Sequence, residues 1–159
     1  MKVWVGPLLN HMWHSVKAAN GDGDQCIQFM MTSLIHSLGV HEWQPGRLED
    51  VLREAHSKFV LNRIEKAKYK KNNPSLIESK FVKDFQMTLS QCPHSYRPPN
   101  IVEDNRLPVY SKVYNVILKT LTKEHTIKDM MKVSPNLTTS ALENLHSLIT
   151  GKYRPKEVY

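Results

Sequence analysis

Glu143, His146, Ser147 and Thr150 fall at i, i+3, i+4 and i+7, so on a helix they share one face, while Leu142, Leu145 and Ile149 share another. A carboxylate so placed can hold a divalent cation, and His146 beside it can orient a ligand or reach a phosphate. The same glutamate, within two turns of a helix start, is also what the helix dipole favours as a plain surface acid. Beyond Gly151, the residues Lys152, Arg154 and Lys156 make a basic tail, able to neutralise phosphates or to be a solvated end. A second basic run, Lys66, Lys68, Lys70 and Lys71, has Tyr69 among its lysines, a mixture suited to nucleic acid. It is also what a solvated helix C-terminus looks like.

Softer donors are scattered through the first half. His36 and His41 have a spacing that a zinc finger tolerates, with Cys26, His11 and His14 elsewhere in the same stretch. No Cys-x2-Cys pair accompanies them, so the sequence gives no reason to expect a metal site there. Cys92-Pro93-His94 reads as a loop. Asp22-Gly23-Asp24 starts like a calcium loop but lacks the later glycine and bidentate glutamate, so it reads as a helix cap. There is no phosphate-cradling glycine loop and no nucleophile elbow.

Helices are the elements available to position these residues. The first is expected from Pro7 to Ala19, with Leu9, Trp13 and Val16 on one face, before Asn20-Gly21 breaks it. The second, from about Asp24 to Leu38, carries an Ile27, Met31, Leu34, Ile35, Leu38 stripe widened by Phe29 and Met30, which predicts burial on more than one side; Gly39 ends it. A third is expected from Pro45 as far as Tyr69, its stripe drifting in register before Ile64. A fourth starts at Asn73-Pro74 and runs through Phe81, Phe85 and Leu89. Pro93, Pro98 and Pro99 mark an extended connector. A fifth helix over Pro108 to Thr122, a short sixth over Thr126 to Lys132, and a last one from about Thr138 to Gly151 complete the chain. Strand-like alternation is absent. The expected fold class is therefore all-α, divided as residues 1–92, a connector at 93–107, and a C-terminal helical segment at 108–159.

Composition narrows the partners. The chain has 159 residues, 22 Lys plus Arg against 15 Asp plus Glu, and a formal charge of +7, which favours polyanions. Two cysteines are too few for a disulfide framework. Apolar runs fall far short of a membrane span, and Gly6-Pro7 interrupts the N-terminus too early for a secretory core, so neither membrane insertion nor secretion is expected.

The segment Thr138-Thr139-Ser140-Ala141-Leu142-Glu143-Asn144-Leu145-His146-Ser147, followed by Lys152-Tyr153-Arg154-Pro155-Lys156, resembles the closing segment of a family of animal transposase-like proteins with a ribonuclease H-like catalytic domain. It is also similar to the third-acid helix of Mutator-like transposases. Trp4 with Asn10-His11-Met12-Trp13, and His41-Glu42-Trp43, resemble further elements of the same family. The resemblance implies that residues 1–92 are the helical insertion that separates the second catalytic acid from the third, and that Glu143 is the third acid and metal ligand. It implies Mg²⁺ or Mn²⁺ for the ancestral full-length enzyme, phosphodiester cleavage and strand transfer as its reaction, DNA as partner and the nucleus as location. The first two aspartates would lie before Met1. One glutamate offers at most two oxygens to a two-metal centre, so the chain by itself is expected to be catalytically incomplete and to hold no cofactor.

Overall fold

A computed structural model describes residues 2–59, 62–72, 79–93 and 106–132. Among these residues the protein is mostly helical, with one two-stranded ribbon. The expected helix after Thr138, and with it Glu143, His146, Lys152, Arg154 and Lys156, lies outside the described residues.

Helix α1 (Lys2–Ala19) and helix α2 (Gly23–His36) form an antiparallel pair. The turn between them needs left-handed backbone at Asn20 and Gly21 (φ 47° and 90°), residue types that tolerate it. Asp22 caps α2, its Oδ1 accepting from the Gln25 N–H at 3.0 Å, as the sequence suggests. α1 begins earlier than expected, with Pro7 inside it. A proline there forgoes one backbone bond near the helix end, and the buried stripe is Met12, Val16 and Ala19, whereas Trp13, expected on that face, is exposed.

α2 is the centre of the molecule. Cys26, Ile27, Met30, Met31, Leu34 and Ile35 are all buried, on more than one side as the widened stripe predicts. α1 and the later helices α6 (Lys112–Leu121) and α7 (Glu124–Met131) pack on α2 most extensively, with α3 (Leu48–Ser57) in lighter contact. Its buried hydroxyls are satisfied locally: Ser33 Oγ donates to Met30 O at 2.6 Å and Ser37 Oγ to Leu34 O at 2.9 Å. Gly23 permits close approach of α7, because a Cβ there would fall on the backbone of Met131. α2 ends two residues short of Leu38. Gly39 follows with φ 75°, and a Cβ at Gly39 would meet the Arg106 side chain.

Three expectations need correction. The long third helix is two helices, α3 and α4 (Arg63–Asn72). The drift before Ile64 marks the break, and Asn62 restarts the helix: its Oδ1 accepts from Glu65 N–H, and Glu65 Oε2 accepts from Asn62 N–H, both at 2.9 Å. The fourth helix stops earlier than expected: its start at Asn73-Pro74 lies outside the described residues, and its described part is α5 (Lys80–Asp84), capped by Ser79, with Phe85 extended and Leu89 beyond the helix. The reason is the third correction. Gln86–Met87 (β2) pairs antiparallel with Gly46–Arg47 (β1), with a further bridge between Glu42 and Gln91. Strands this short leave no alternation to read in a sequence. The ribbon is extended by Trp43 N–H to Ser90 O (2.9 Å), Trp43 Nε1–H to Leu89 O (2.7 Å) and Cys92 N–H to His41 O (3.0 Å).

Ser111 caps α6, its Oγ accepting from Tyr114 N–H. α6 starts after Pro108 rather than at it, since Pro108–Ser111 forms a turn. One cluster of buried side chains runs from Met12 through α2, α3 and the ribbon to Met130.

Candidate functional site

The lysine run lies on α4, and the way α4 is held decides which side chains it offers. Glu65 and Tyr69, one turn apart, are half-buried and face the body of the protein. Glu65 closes the capping pair with Asn62 and accepts a bond from Tyr110 Oη at 3.2 Å. Tyr69 Oη lies 3.1 Å from His56 Nδ1 on α3. His56 Nε2 lies 3.0 Å from Tyr114 Oη on α6. One buried imidazole thus joins three helices.

Within that network burial favours the neutral form of His56. A neutral ring has one donor and one acceptor nitrogen, so one tyrosine donates to it and the other accepts. Burial, with the nearby Arg53 guanidinium adding to it, pushes the His56 imidazolium down to about 4. Burial likewise pushes the Tyr114 phenol well above its usual range, reinforced by Tyr69.

With Glu65 and Tyr69 turned inward, the outward side of α4 presents Arg63, Lys66, Lys68, Lys70 and Lys71, all exposed. None of them forms a salt bridge among the described residues. Lys68 Nζ stands 5.9 Å over the Tyr110 ring. Between the cations, Ile64 (68% exposed) and Ala67 floor a shallow depression bordered by Arg63, Lys68 and Lys71. Ile64, Ala67, Lys68 and Lys71 fall at i, i+3, i+4 and i+7, so an apolar strip runs beside the charges. Such a face can neutralise several phosphates at once and lay methyl groups against sugars or bases.

A second constellation joins three segments distant in sequence. His36 is the last residue of α2, His41 follows the Gly39 turn, and Cys92 lies opposite His41 across the ribbon. One donor atom from each lies within 4.8 Å of the others. Cys92 Sγ is 3.7 Å from His36 Nδ1, and the His36 and His41 rings meet edge to face at 4.8 Å. The His11 ring is 5.8 Å from that of His36. His11 Nε2 reaches Phe29 O at 3.1 Å and Thr32 Oγ1 at 2.9 Å, while Thr32 Oγ1 itself donates to Phe29 O. A carbonyl only accepts, so His11 carries its proton on Nε2. Burial pushes the Cys92 thiol up to about 12, the reverse of what a cysteine nucleophile needs. Cys26, pushed up to about 11 by burial, is a core packing residue.

The sequence reading found Lys66, Lys68, Lys70 and Lys71, and the structure brings these together on one helix. It missed His56, whose one available signal is its place beside Ala55 on the Val51, Leu52, Ala55 stripe. It weighed His36 with His41 but set Cys92 apart as a loop residue, because pairing across the ribbon has no local signature. Asp22 is a cap and Asp24 a first-turn acid of α2, as expected.

Comparison with known proteins finds no matching family model, no matching curated protein and no matching solved structure. No helix among the described residues is long and apolar enough to cross a membrane.

Proposed function

We propose that the chain is a helical DNA-binding segment of a transposase-derived protein, gripping the phosphate backbone with α4. The observation that carries this reading is the outward face of α4. Five cations stand there without a carboxylate partner among the described residues, and the helix's one acid is turned inward as a cap. A chain with a formal charge of +7 has the same bias as a whole. Backbone contacts of this kind give affinity and orientation with little sequence preference.

Descent from a transposase-like protein rests on the residue pattern around Glu143 and on the segments at Trp4–Trp13 and His41–Trp43. In that reading Glu143 is the third acid of a ribonuclease H-like centre, which in the ancestral enzyme would hold Mg²⁺ or Mn²⁺ with two further carboxylates. His146, Lys152, Arg154 and Lys156 would flank the DNA, and the nucleus is the matching location. With Glu143 alone supplying that centre, DNA incubated with the chain and Mg²⁺ or Mn²⁺ is expected to stay intact.

The test is a salt titration of binding to duplex DNA. The logarithm of affinity should fall linearly with the logarithm of salt, by about 0.9 for each phosphate neutralised. Charge reversal at Lys66 and Lys70 should weaken binding and flatten the line. A wild-type line with no slope would refute the reading.

A further inference from the structure

We propose that His36, His41 and Cys92 form a zinc site that fastens the end of α2 to the ribbon. The proposal goes beyond DNA binding and does not depend on it.

Geometry is the first argument. With Zn–S near 2.3 Å and Zn–N near 2.0 Å, a tetrahedral ion sets its sulfur and nitrogen ligands about 3.5 Å apart and two nitrogens about 3.3 Å apart. Cys92 Sγ and His36 Nδ1 are 3.7 Å apart, and the whole triad of donor atoms fits within 4.8 Å. Shifts of about an ångström in the His36 and His41 side chains, both only half-buried, complete the coordination. Chemistry is the second argument. One thiolate with two imidazoles is a soft and borderline donor set that suits Zn²⁺ and not Mg²⁺ or Ca²⁺.

Preorganisation is the third. The ribbon bond from Cys92 N–H to His41 O fixes two of the ligands opposite each other without help from a metal. His36, at the C-terminal end of α2, stands where the helix dipole favours positive charge. Three protein ligands leave the fourth position for water. His41 also borders an open groove with Gly39, Lys58 and Arg106, which brings solvent to that side of the triad.

The ion would add a cross-link between the end of α2 and the ribbon, beyond the ring and thiol contacts that already bring the three residues together. Its role is then structural support for the ribbon.

The probes are Zn²⁺ and Co²⁺ with the untagged, full-length chain. Zinc-supplemented protein should carry one equivalent of metal by native mass spectrometry. Co²⁺ in its place should give a thiolate-to-cobalt charge-transfer band together with the strong visible absorption of a four-coordinate ion. Cys92→Ser should lose the charge-transfer band, His36→Gln should weaken metal binding at least tenfold, and Cys26→Ser should leave the spectrum unchanged. Wild-type protein that binds Co²⁺ without a thiolate band, or binds no metal, overturns the assignment even if every variant misfolds. So does a Cys92→Ser spectrum identical to wild type. DNA affinity is measured separately, and its failure would leave the metal result standing.

Discussion

Acidification should unlock the junction of α3, α4 and α6 through a single group. His56 titrates near 4 in the folded protein against an unfolded value near 6.5, because burial opposes its charge. Between these values the unfolded chain binds more protons, so stability is complete above pH 6.5 and is lost as pH falls through the folded value. The linkage integral gives a loss of about 2 kcal/mol by pH 5 and about 3 kcal/mol by pH 4. Other groups titrate in the same window, so the contribution has to be isolated as a difference. His56→Gln keeps a donor and an acceptor between Tyr69 and Tyr114 but cannot charge. At pH 7 it should be less stable than wild type by about 1 kcal/mol, for imperfect hydrogen bonds. By pH 4 to 5 that order should reverse. Urea unfolding of both proteins at a series of pH values, followed by circular dichroism, measures the difference. A gap between the two proteins that stays constant from pH 7 to 4 would refute the argument, since it would mean that His56 either stays charged in the folded state or is solvated there.

Further expectations follow from named contacts. Gly23→Ala should destabilise by about 1–3 kcal/mol, because the added carbon meets the Met131 backbone and α2 and α7 must part; thermal melts check this. Leu34→Ala, at a fully buried position on the central helix, should cost about 2–5 kcal/mol in denaturant unfolding. Asn62→Ala removes half of the reciprocal cap and should cost about 1 kcal/mol, with faster amide exchange confined to the first turn of α4. Reversing charge at both Lys66 and Lys70 should leave the melting temperature nearly unchanged, since neither pairs with an acid among the described residues, while reducing the salt slope of DNA binding by about 2.

What could be read from residue types alone was the helical character, and with it the central helix. The α2 stripe is long, apolar on more than one side and bounded by an Asp cap and a Gly stop, so local and tertiary signals agree. The break between α3 and α4 left a trace in the drift before Ile64; Asn62 with Glu65 three residues on is the stronger signal and was passed over. The ribbon was not legible, because its strands are two residues long and are set by pairing between positions forty residues apart. The candidate sites divide the same way. A basic face on one helix is a local pattern and could be seen in advance. The His36, His41, Cys92 group and the His56 junction are products of tertiary folding, which brings together donors that sequence spacing keeps apart.

The ribbon has one more consequence. Its pairing of Gly46–Arg47 with Gln86–Met87 closes a loop that contains α3, α4 and α5. Closing such a loop costs entropy that grows only with the logarithm of its length, about 0.6 kcal/mol for a doubling. Residues added within that loop should therefore cost the ribbon little, so long as α4 keeps Glu65 on Tyr110 and Tyr69 on His56.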